Sequence, residues 1–101
     1  MAVNWPKTTA RILTKVTGES HPDIAMGLVL KDAIAHRLEG IALEQGRFES
    51  KYGMTFEEYK KRWESEDKPE SYAYEAEFDY LEWEALDTRK ARLESAQAWL
   101  T

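Results

Sequence analysis

Apolar positions recur every three or four residues over most of this chain, and that period predicts helices. After Pro22, the residues Leu30, Ile34, Ile41, Phe48 and Tyr52 follow at helical spacing, with Leu38 beside them. Ser20 or His21 can cap this segment, Pro22 suits its first turn, and Asp23 favours the positive helix end. Gly53 reads as the residue that stops it. Gly27, Gly40 and Gly46 lie inside and cost stability there. They read as points of close helix contact, or, for Gly46, as a break. Thr55-Phe56-Glu57-Glu58 then matches a capping box, with Thr55 as N-cap and Glu58 at the third helical position. Phe56, Tyr59 and Trp63 form the apolar stripe of the helix that follows, and Pro69 ends it.

Ser71 can cap a last helix running from Tyr72 to Leu100. At 1.5 Å per residue it is about 43 Å long. A compact domain of this size has a radius of gyration near 13 Å, so such a helix spans or overhangs it. The first twenty residues are less periodic. Thr8 to Thr17 is rich in β-branched residues and fits a short strand or an irregular helix. The expected fold is all-α: a small helical bundle with helices at about 22–52, 56–67 and 72–100, after an irregular or short-strand N-terminal arm. The arm covers 1–20 and the helical domain 21–101.

Placing residues of the last segment 100° apart separates its faces. Tyr74, Phe78, Leu81, Ala85 and Trp99 share one side. Tyr72, Ala76, Tyr80 and Trp83 lie on roughly the opposite side. Glu75, Asp79 and Glu82 run between them, and Glu77 and Glu84 mark the other border. Leu86, Leu93 and Leu100 recur every seven residues. One apolar face suits the chain's own helices; the other calls for more of the same chain, a second copy or another protein. Aromatic residues are enriched in binding hot spots.

Composition narrows the classes. A chain of 101 residues fits a single domain, and the absence of cysteine excludes disulfides and thiolate metal sites. It fits a reducing compartment, so the cytoplasm is expected. No apolar run approaches the roughly 20 residues needed to span a bilayer, and Met1 to Lys7 lacks the apolar core of a signal peptide. Charge is segregated. Lys7, Arg11 and Lys15 form a basic arm, the stretch from Glu64 to Asp87 is acidic, and Arg89, Lys90 and Arg92 follow. The net charge of −5 weighs against nucleic acid as the main ligand.

Candidate chemistry is sparse. Asp32, His36 and Glu39 share a helix face, but that face points away from the Leu30/Ile34/Ile41 stripe and lacks the Glu-x-x-His pairs of bundle metal sites. A metal-dependent all-α nucleotide pyrophosphohydrolase would hold Mg²⁺ through carboxylates on neighbouring helices. Here Glu57-Glu58 is followed by Lys61 rather than a third acid, and Glu75 and Asp79 are four apart. A small dimeric DNA-binding regulator could draw a β-ribbon from Ala10 to Val16, with Arg11, Leu13 and Lys15 on one face. The acidic balance and the long helix after Pro22 oppose it. No catalytic, metal or cofactor residue is assigned.

Lys51-Tyr52-Gly53-Met54-Thr55-Phe56-Glu57-Glu58-Tyr59, followed by Tyr74-Glu75-Ala76-Glu77-Phe78-Asp79-Tyr80-Leu81-Glu82-Trp83-Glu84-Ala85-Leu86, resembles a group of short acidic prokaryotic proteins. Some of these are regarded as antitoxins encoded beside small toxins. The resemblance covers roughly residues 30–100; the first twenty fall outside it. It implies a binding protein that covers a toxin's surface, often a basic one. The expected reading is a non-enzymatic protein-interaction module that self-associates, as a homodimer or larger assembly. Its contact residues are expected to be Glu75, Asp79, Tyr80, Glu82 and Trp83, with a toxin protein as the possible partner.

Overall fold

The computed structural model describes residues 4–65 and 73–100. Four α-helices make up nearly all of them, and there is no strand among the described residues. They are α1 (Lys7–Thr17), α2 (Pro22–Tyr52), α3 (Phe56–Glu64) and α4 (Ala73–Trp99). The all-α expectation holds. The expected roles of Pro69, Ser71 and Tyr72 lie outside the described residues.

The first segment is a helix, and a regular one, so of the two alternatives the short strand is set aside. Its β-branched content is accommodated locally. The hydroxyl of Thr14 donates to the Ala10 carbonyl at 3.1 Å and that of Thr17 to the Leu13 carbonyl at 2.7 Å. Threonine bonding back one turn is tolerated inside helices. Packing then outweighs propensity, because Leu13 is buried and α1 lies against α2. Gly18 ends the helix at φ 75°, and its N–H reaches the Thr14 carbonyl.

α2 has the bounds that the spacing predicts. His21 occupies the N-cap position, but its side chain makes no cap bond. Glu19 instead accepts from the His21 N–H at 3.1 Å and pairs with its Nδ1 at 3.0 Å. Asp23 accepts a 2.6 Å bond from the indole of Trp5. The helix runs through Gly46 unbroken. A Cβ at Gly27, Gly40 or Gly46 would meet nothing within 4 Å, so none of them marks a close helix contact. Gly53 stops the helix at φ 64°, a left-handed geometry that favours glycine.

Thr55 caps α3 as expected. Its hydroxyl accepts from the Glu58 N–H at 3.3 Å, and the Glu58 carboxylate accepts from that hydroxyl in turn. α3 closes at Glu64, short of the expected residue 67. Ser65 is extended there, and its hydroxyl donates to the Arg62 carbonyl.

α2 is the spine. α1 packs on its N-terminal part, and α4 runs antiparallel along it while also holding α3. The antiparallel sense follows from pairing: Lys51 meets Asp79, and Phe48 meets Trp83. The core is a thin line of Leu13, Ala25, Ile34, Ile41, Tyr59, Ala76, Trp83 and Leu86. The radius of gyration is 19.7 Å and the extents are 59 × 24 × 19 Å. A compact chain of this length would measure about 13 Å. The excess reflects two long helices packed side by side with little stacked upon them.

Candidate functional site

The C-terminal end of α2, α3 and the first half of α4 form the most elaborated region. Trp83 is its centre and is wholly buried. The rings of Phe48, Phe56 and Tyr59 stand 5.3–5.5 Å from it, and Tyr52 stands at 6.0 Å. Such ring pairs add about 0.5–1.5 kcal/mol each beyond their area burial. Tyr80 is half-buried and stacks on Trp63 at 5.2 Å, with Phe56 and Tyr59 close by. Tyr59 donates to the Ala76 carbonyl at 3.1 Å, tying α3 to α4. Burial pushes its phenol, and that of Tyr80, above the usual range.

A polar clamp borders this box. Lys51 donates to Glu75 at 2.6 Å and to Asp79 at 2.7 Å, and Tyr52 donates to the same Asp79 carboxylate. The Tyr52 phenol is pushed up by burial first and by its bond to Asp79 second. The Lys51 ammonium is held up by its bonds to Asp79 and then to Glu75. The clamp closes the end of the α2/α4 pair.

The five expected contact residues therefore have different places. Glu75 and Glu82 are exposed, while Asp79 is largely covered and bound within the chain. Tyr80 and Trp83 serve the chain's own core, so the Trp83 ring offers no surface to a partner in this fold. The opposite face is the open one. Tyr74 is 78 % exposed, and Phe78 and Leu81 are each 56 % exposed. Glu75 and Glu82 line one border of this stripe, and Glu77 and Glu84 line the other. Beside it a groove of about 530 Å³ runs between Glu44 of α2 and Phe78, Leu81, Glu82 and Arg89 of α4.

Both faces are legible in the sequence, but of the expected contacts the aromatic ones, Tyr80 and Trp83, fall on the face that folding consumes. The available signal was the aromatic stripe of α3. Phe56, Tyr59 and Trp63 need rings to pack against, and Tyr80 with Trp83 supply them. Among the described residues no group of three or more histidines and carboxylates is gathered closely enough to hold a metal ion. No helix among them is long and apolar enough to cross a membrane.

The arrangement defines a small, elongated all-α protein with an exposed aromatic stripe bordered by acids. No protein-family model matches the chain, nor does any curated protein or solved structure.

Proposed function

We propose that this chain is a non-enzymatic interaction protein of the cytoplasm, antitoxin-like in action, which neutralises a small basic toxin by covering its surface. One observation carries the reading: the outer face of α4 exposes Tyr74, Phe78 and Leu81 between two rows of carboxylates. Exposed contiguous apolar surface rimmed by polar groups marks interaction sites. The rings supply anchoring area, and the acids steer a positively charged partner and set its orientation. Of the residues expected from sequence, Glu82 is exposed and outside the clamp, while Glu75, also exposed, and Asp79 both hold Lys51. The clamp ties the first turns of α4 to the end of α2 before a partner arrives, which lowers the ordering cost of binding.

The test is co-purification with the product of the adjacent gene, followed by calorimetric titration of the separated pair. The expected result is a tight complex that weakens with salt. A neighbour that is not basic and does not bind would refute the neutralisation reading.

A further inference from the structure

We propose that in the free protein the outer face of α4 is closed by a second copy of the chain, with the two α4 helices side by side and antiparallel. The proposal rests on the reading of that face as an interface and names its occupant when no other partner is present.

Tyr74, Phe78, Leu81 and Ala85 succeed one another by alternating steps of four and three, and the same steps lead on through the polar Thr88, Arg92 and Ser95 to Trp99, which is 88 % exposed. A repeat of 3.5 residues keeps one seam facing another helix along its length. The buried face of α4 follows the same repeat through Ala76, Asp79, Trp83 and Leu86, and that seam meets α2. The outer seam has no such neighbour among the described residues.

The chain exposes 8134 Å². A compact monomer of 11.7 kDa would expose about 5,900 Å². A standard interface removes about 800 Å² from each partner, so the surplus is more than sufficient for one.

Charge favours one direction. The first half of α4 carries Glu75, Glu77, Asp79, Glu82 and Glu84 and no base. The second half carries Arg89, Lys90 and Arg92 with two acids, Asp87 and Glu94. Parallel pairing would set Glu77 against Glu82 of the copy, a repulsion that offsets its pairing of Glu84 with Arg89. Antiparallel pairing sets acidic half against basic half, with Glu82 facing Arg89 of the second copy and the reverse by symmetry. It also sets Tyr74 opposite Trp99 and brings Ala85 beside the twofold axis. Neither Glu82 nor Arg89 forms an ion pair within the chain among the described residues, and both are exposed.

Sedimentation equilibrium of the full chain at low salt tests the pairing. Wild type should dimerise. Glu82→Arg should weaken the dimer about ten-fold, and Glu82→Arg with Arg89→Glu should restore it to within about three-fold. Direction is read separately by cross-linking, which is clean because the chain has no cysteine. With a short bismaleimide, Ala85→Cys should cross-link to its copy. Tyr74→Cys should not, because antiparallel copies of residue 74 lie about 38 Å apart. A chain that stays monomeric at about 100 µM, or a dimer indifferent to both reversals, would overturn the proposal. Cross-linking of Tyr74→Cys as fast as Ala85→Cys would overturn its direction. The interface reading fails on a different result: an adjacent-gene product held equally well by wild type and by Phe78→Glu with Leu81→Glu.

Discussion

Trp83 shows how one ring can decide which side of a helix is inside. Four aromatic neighbours surround it, and its indole Nε1 has no hydrogen-bond partner among the described residues. The packing therefore outweighs an unmet donor, whose cost is about 1–3 kcal/mol. Truncation of a buried Trp costs about 3–5 kcal/mol, against a typical total of about 5–15 kcal/mol. Trp83→Ala should therefore lose a large share of its stability, read as a fall in the guanidinium midpoint by circular dichroism. A midpoint near that of wild type would place the ring outside the core.

The clamp beside it predicts a pH dependence. Tyr52, Tyr59, Tyr80 and Lys51 all have folded values raised above their unfolded ones. The stability they contribute is complete below about pH 10 and is lost as pH rises from there through the folded values. Thermal melts should be level near neutrality and fall above about pH 10. Tyr52→Phe removes one titrating group and should make that fall shallower; an unchanged slope would exclude Tyr52 as a contributor.

The helix ends and interiors were largely legible in sequence, because their causes are local. Thr55 with Glu58, Pro22 and Gly53 each act within one turn, and the bounds of α2 follow from them. α1 was not legible, because its β-branched residues have two local solutions and Leu13 chooses between them only once α2 is present. The three interior glycines were over-read: with open space around each, they are simple costs. Gly40→Ala should stabilise α2 by up to about 1 kcal/mol, measured by urea unfolding; destabilisation would reveal a contact at that site. Gly53→Ala should do the opposite, since φ 64° is unfavourable for alanine.

For the molecule as a whole, sequence disclosed two apolar faces on α4 but not which one would be free. That assignment depends on contacts between residues more than twenty positions apart, such as Phe48 with Trp83, which no local pattern encodes. The elongated shape was foreshadowed by the helix length alone. Its consequence is a thin core and a long outer seam, so partner binding should add substantially to stability: a ligand at one hundred times its Kd raises it by about 2.7 kcal/mol. The most direct measurement is titration of the adjacent-gene protein into Phe78→Glu with Leu81→Glu, after circular dichroism has established its helicity. The outer face of α4 as the contact surface predicts wild-type helicity with binding weakened at least about a hundred-fold. Wild-type affinity in that variant would contradict it.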